Sequence, residues 1–277
     1  MQANSSIEVP DWKTLEEKIS ELRAAYGGKS SSPLVFRGQA NSDWPLATTL
    51  ERSGQKDMLF SKFYQLITGS IGPAVETFTG ISVPEYDPAY ARSLSEPELL
   101  LPGPAQFPSQ NLYRYMVYLR HHGFPSPLLD WSYSPYVAAF FAFRDSSPKE
   151  PAKRSIYVYC ESPKGIKGGA VGEPTIRRIG PYVRSHRRHF RQQSDYTICG
   201  RLDLDYGWRF DSHQHVIEAR RPNQDYLWKL DIPSGLRVEI LRLLNDYNLN
   251  AFSLFDSEES LLETMWLKEH VLRNRDS

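Results

Sequence analysis

The sequence predicts a mixed α+β body: a mostly antiparallel sheet of about six strands, continuous or split, with helices flanking it. Two observations carry this. Short runs rich in β-branched and aromatic residues recur at irregular spacing, at 34–38, 156–160, 196–199 and 226–233, and stretches with helical periodicity lie between them. The 277 residues, 13% of them aromatic, suffice for one large core, so a single body over 1–277 is expected. Charge is balanced, 33 basic against 33 acidic residues, which argues against general attraction to nucleic acid or anionic membrane and makes any polyanion site local. No apolar run is long enough to cross a bilayer, and residues 1–9 lack a basic-then-apolar signal pattern, so a soluble, cytoplasmic protein without membrane partners is expected. Cys160 and Cys199 both fall in β-like runs and read as buried thiols, which leaves no cysteine zinc site.

Taken in order, Thr14 and Glu17 have capping-box spacing, and Leu15, Ile19, Leu22 and Tyr26 then recur at helical intervals until Gly27-Gly28. That helix leads into residues 34–38, Leu-Val-Phe-Arg-Gly, a short buried strand that delivers Arg37 to a polar end. A guanidinium there answers a carboxylate or a phosphate, and Gly38 beside it lets a second backbone or a ligand approach closely. Taken alone, the arginine reads first as a structural ion pair. Turn formers surround Trp44, which could wall a pocket, and Arg52 is a second candidate anion contact. Residues 58–78 favour helix, weakened by Gly69 and Gly72, and 84–108 is a proline-rich irregular excursion.

Leu112, Tyr115, Met116 and Leu119 mark a helix ending at His121-His122-Gly123. Ser134-Pro135 is an N-cap with proline at the first helical position, opening a helix apolar on nearly all sides and therefore buried. In front of it Asp130, Trp131 and Ser132 stand where a strand hands over to a helix, a place for an anionic ligand or simply for satisfying turn amides. Arg177, Arg178, Arg184, Arg187, Arg188 and Arg191, with His186 and His189, form the most basic segment, either a solvated face or a phosphate or RNA contact. A polar strand from Gln192 follows, then a loop with Asp203, Asp205 and Trp208. His213 and His215 have the spacing of a strand-borne metal pair but lack a convincing third ligand, so no metal is assigned. Residues 226–233 read as a strand, Ser234 as the cap of a helix carrying Val238, Leu241 and Leu244, 251–255 as a short strand or buried turn, and 256–259 as a capping box for a last helix.

Phe36-Arg37-Gly38 with Trp44 and Leu46, and residues 122–135 with Asp130, Trp131, Ser132 and Pro135, together resemble the bacterial and phage FRG domain, named for its Phe-Arg-Gly motif. Arg188, Gln192, Ser194, Tyr196 and Thr197 are similar to that family's later motif, and 241–255 to its closing helix, so the resemblance spans about residues 12–270. Asp256 stands where the family has proline, and Ser132 and Ser194 where it commonly has threonine and glycine. The FRG motif in turn resembles the first strand of arginine-serine-glutamate ADP-ribosyltransferases. That implies an ADP-ribosyltransferase-like fold, NAD as substrate, no metal, and transfer of ADP-ribose to a protein or nucleic-acid acceptor. It further implies a toxin or anti-phage defence effector with a neutralising partner or antitoxin.

The roles implied are Arg37 on the phosphates beside Gly38, Ser132 and Asp130 on the ribose or the arginine, and Trp44 or Trp131 against nicotinamide. Gln192 would orient the acceptor, His122 would donate from behind, and Arg188 would join the binding residues. The expected glutamate is absent or is supplied by Asp195 or Glu218. The alternative implied by the basic run is a non-catalytic module that binds nucleic acid or a nucleotide signal. A metal-dependent nuclease would rest on Asp203 and Asp205 alone.

Overall fold

The computed structural model describes residues 4–28, 31–96, 107–146, 149–169, 172–181 and 187–273. Among the described residues eight strands form one sheet: β1 (Ser5–Glu8), β2 (Val35–Gln39), β3 (Leu129–Ser132), β4 (Lys153–Cys160), β5 (Thr175–Arg178), β6 (Ser194–Asp203), β7 (Gly207–Phe210) and β8 (Tyr226–Pro233). Their order is β1-β8-β4-β2-β3-β6-β5, with β7 also paired to β6. Every pairing is antiparallel except β1 with β8. The expected α+β class with a mostly antiparallel sheet is what the chain forms.

Side chains alternate between the two faces of a strand, and three apolar clusters follow from that alternation. On one face, Phe36, Ile156, Val158, Trp228, Leu230 and Ile232 pack under the helices Trp12–Tyr26, Pro135–Phe143 and Arg237–Asp246. Farther along the sheet Tyr196, Ile198 and Phe210 pack with Phe60, Phe63 and the helix Gln110–His121. Val35, Leu129, Trp131, Tyr157 and Tyr159 point the other way, onto Leu46, Val216 and Ile217. The Pro135–Phe143 helix is apolar all round because it lies between the sheet and the last helices, and Ser134 caps it by accepting from the Val137 amide at 3.3 Å.

Several elements differ from expectation. The first helix begins at Trp12 because Asp11, not Thr14, is the cap, accepting from the Thr14 amide at 2.7 Å. Residues 58–78 divide into Phe60–Tyr64, a π-helical turn Gln65–Ser70 and Gly72–Thr79. Within the expected irregular excursion Pro88–Ser93 is helical, and 97–106 lie outside the described residues. The loop expected around Trp208 is the hairpin of β6 and β7, in which Asp203 pairs with Arg209 at 3.1 Å. Residues 251–255 are helix, not strand, because Asn250 caps them reciprocally with Ser253. The last helix is capped by Ser257 with Ser260, leaving Glu259 outside the box.

His213 and His215 lie on the helix His213–Glu218, which turns their side chains apart. His215 pairs with Asp211 at 2.9 Å on the surface, whereas His213 is buried. Trp131 Nε1 donates to Thr197 Oγ1 at 2.9 Å, which leaves that hydroxyl's hydrogen for His213 Nε2, also at 2.9 Å. Among the described residues no three His, Cys, Asp or Glu side chains gather as a metal-binding group. Burial, with Arg37 and Lys167 nearby, pushes the His213 imidazole down from its ordinary 6.5 to about 3. The unfolded chain therefore binds a proton between those values that the folded chain refuses, and stability falls as pH drops through that window. The expected slope from this group is about 1.4 kcal/mol per pH unit. Urea titrations from pH 6.5 to 4.5 should show the decline, and His213→Gln should flatten it; an unchanged slope in that variant would refute the assignment.

Candidate functional site

β2 meets β4 over five register pairs but meets β3 at one, Phe36 with Ser132. Beyond that pair the two strands part, and a cleft of about 670 Å³ opens between them, lined from both faces of the sheet. Arg37, Ser132 and Gln192, from three distant stretches, all line it. Of the two expected forms, continuous or split, the sheet is continuous, with β2 and β3 joined at this one pair.

Gly38 holds the inner wall. A Cβ there would sit 1.9 Å from the Ala138 carbonyl oxygen and 2.6 Å from the Ala142 amide nitrogen. Its smallness therefore serves the buried helix, and a ligand could reach only its edge.

Arg37 donates from Nη1 to the backbone carbonyl of Asp130 at 2.9 Å, filling the gap where ladder bonds stop. Its Nε is buried and has no hydrogen-bond partner among the described residues. Burial pushes the guanidinium down to about 10; Asp130 opposes that, while Arg120 and Arg52 add repulsion. The Asp130 carboxylate belongs to Arg120, which binds it with two donors, Nε to Oδ1 at 3.1 Å and Nη2 to Oδ2. The Arg37–Asp130 side-chain pair read from the sequence is therefore replaced by Arg120–Asp130. Burial alone would raise the Asp130 carboxyl, but Arg120, helped by Arg37, outweighs it and leaves it below its ordinary value. Arg52 donates to the Ala47 carbonyl at 2.7 Å. Four arginines, 37, 52, 120 and 188, and two aspartates, 130 and 145, line the cleft, which gives it a basic balance in a neutral chain.

Ser132 is buried, and its hydroxyl is committed: it donates to the Gln192 carbonyl at 2.7 Å and accepts from the Ser134 amide at 3.0 Å. That stitch, with the Tyr133 amide on the Gln193 carbonyl at 3.0 Å, is what brings residues 192–194 to the cleft. The Ser132 hydroxyl proton is used by the fold, so its contribution to a ligand is limited to its oxygen. The Gln192 amide donates to the Leu254 carbonyl at 3.3 Å. Arg188 lines the cleft with its guanidinium 5.5 Å above the Phe255 ring and Nε on the Phe255 carbonyl at 3.2 Å.

Both tryptophans line the cleft, but Trp131 is buried with its ring stacked on Tyr159 at 5.2 Å, so of the two it is Trp44, 55% exposed, that offers a ring face. His122 is exposed and tilts against Tyr118, away from the cleft; its neighbour His121 lines it and meets Tyr196 Oη at 3.1 Å. About 100° of helix rotation between adjacent residues explains the exchange. Neither candidate acid reaches the site. Asp195 is fully buried on the other face, paired with Arg178, and Glu218 is held by Gln214 at 2.8 Å.

The basic run divides as well. Arg177 and Arg178 belong to β5, Arg187 and Arg191 pair with Asp256, and Arg184 and His186 lie outside the described residues. Asp256 ends the Ala251–Phe255 helix at φ 55°, ψ 49°, a conformation closed to proline. The helix thus ends in a left-handed cap whose carboxylate is clamped by two arginines. Sequence reasoning missed Arg120, His121, Phe141, Asp145 and Phe255, which carry no local signal beyond helix-end positions.

Residues 32–151 match the FRG domain family. The match contains β2, β3, the Pro135–Phe143 helix and the arginines 37, 52 and 120, and stops before Arg188 and Gln192. No curated protein and no solved structure matches the chain. Among the described residues no helix is long and apolar enough to cross a membrane.

Proposed function

We propose that the cleft binds NAD and transfers its ADP-ribosyl group to a macromolecular acceptor, as a toxin or anti-phage effector does. The observation that carries this reading is the convergence of Arg37, Ser132 and Gln192 on one arginine-rich cleft, of a size suited to a dinucleotide. Arg37, with Arg52 nearby, binds the pyrophosphate; Arg120–Asp130 keeps the wall rigid behind it. Nicotinamide lies at the closed end, where the Ser132 oxygen and the Gln192 side chain meet its ribose. The C1′–N bond breaks with its electron pair leaving on nicotinamide, a bond forms from the acceptor to C1′, and the acceptor's proton passes to solvent. Most of the acceleration comes from positioning, with the arginines holding the phosphates while the Ser132 oxygen and the Gln192 side chain orient the ribose.

The test is release of nicotinamide from NAD by purified protein, with labelled ADP-ribose followed into protein and nucleic acid. Turnover with label transfer is expected. Binding of NAD with neither release nor label would favour the non-catalytic nucleotide-binding module, and absence of binding would refute both.

A further inference from the structure

The cleft has a direction. Its closed end is the Phe36–Ser132 pair, with Arg37 one residue and Gly38 two residues farther along β2. Four residues of strand, about 13 Å, separate Phe36 from Ala40 at the open end. The Pro135–Phe143 helix crosses β2 at Gly38, and Asp145, two residues past its end, lines the cleft, as does Trp44 from the loop after β2. Asp145 is exposed and has no hydrogen bond or ion pair among the described residues. Arg144 and Arg237 feel its charge but spend their hydrogen bonds on other groups. Arg144 binds Glu263 through two contacts of 2.6 Å, and Arg237 donates to the Phe143 and Arg144 carbonyls at 3.0 and 2.9 Å. An acid just past a helix C-terminus also opposes the helix dipole, so helix stability does not account for it.

We propose that Asp145 is a specificity residue that accepts hydrogen bonds from the hydroxyls of the adenosine ribose and repels a 2′-phosphate, so that the cleft selects NAD over NADP. This rests on the reading of the cleft as an NAD site. With nicotinamide at the closed end and the pyrophosphate at Arg37, the adenosine half extends to the mouth, its base against the exposed Trp44 ring. A carboxylate is acceptor-only and suits vicinal hydroxyls, whereas a phosphate ester brings further negative charge to the same place.

The test uses ADP-ribose and 2′-phospho-ADP-ribose, which contain no bond to nicotinamide, titrated calorimetrically into the full chain. Wild type should bind ADP-ribose at least tenfold more tightly. Asp145→Asn should reduce the preference to threefold or less, chiefly by strengthening the 2′-phospho compound, and Asp145→Glu should retain it. Equal binding of both probes by wild type, or a preference untouched by Asp145→Asn, overturns this inference and leaves the cleft reading standing. Binding of neither probe removes both.

Discussion

Gly38→Val is expected to unfold the protein at temperatures where the wild type remains folded, and Gly38→Ala to lower its melting temperature by about 6–12 °C. The obstacle is backbone on two sides. The added Cβ would meet the Ala138 carbonyl oxygen at 1.9 Å and the Ala142 amide at 2.6 Å, and neither can swing aside as a side chain would. Relief requires lifting the whole Pro135–Phe143 helix from β2. That helix carries Val137, Ala138, Ala139, Phe140, Ala142 and Phe143 into the main core, all buried, so lifting it opens cavities along its length. Overpacking of a core costs about 1–3 kcal/mol and more where the backbone resists, so about 3 kcal/mol is expected for alanine. For a chain of this size that corresponds to about 2–4 °C per kcal/mol. Circular dichroism melts measure it, with Gly28→Ala as the control, because a Cβ there meets nothing within 4 Å. A Gly38→Ala protein that melts with wild type would mean that the helix does not sit on β2 at this distance.

That same contact shows what the sequence could and could not convey. The choice offered by Gly38, between a second backbone and a ligand, is a choice between two kinds of close approach, and only tertiary placement of the Pro135–Phe143 helix decides it. The helix itself was legible, since Ser134-Pro135 and an apolar surface on all sides are local signals. So were the strands of the sheet centre. The short strands β1, β5 and β7 were not, because each depends on an edge supplied by β8 or β6 more than on its own composition. At the site, Arg37, Ser132 and Gln192 were placed together by resemblance, and the chain brings them together. Arg120 was invisible because a basic residue near a helix C-terminus needs no ligand to explain it, and its partner Asp130 already had a nearer explanation in Arg37. His121 and His122 differ only in helical phase, which a one-residue uncertainty in the helix end erases.

Arg37→Ala should weaken ADP-ribose binding and lower kcat/KM for nicotinamide release by about 10²–10³-fold, the loss expected for a charge-assisted, two-pronged phosphate contact. Its effect on stability should be small, within about 1 kcal/mol, for a reason the site supplies. The Asp130 carboxylate keeps both donors of Arg120, so removing Arg37 strands no charge. What is lost is one hydrogen bond to the Asp130 carbonyl, and what is gained is relief from a guanidinium that burial and two neighbouring arginines already push down to about 10. A group whose charge is disfavoured by its surroundings, with a buried Nε lacking a hydrogen-bond partner among the described residues, is poorly explained as a structural ion pair. It is well explained as a cation awaiting an anion. Arg37→Lys separates charge from shape: it keeps a cation but not the fork, and binding about tenfold weaker than wild type is expected. Calorimetry and thermal melts on the same preparations decide between the two accounts. If Arg37→Ala melts many degrees early, the arginine is holding β2 to β3; if it melts with wild type and binds ADP-ribose equally well, the phosphate contact lies elsewhere in the cleft.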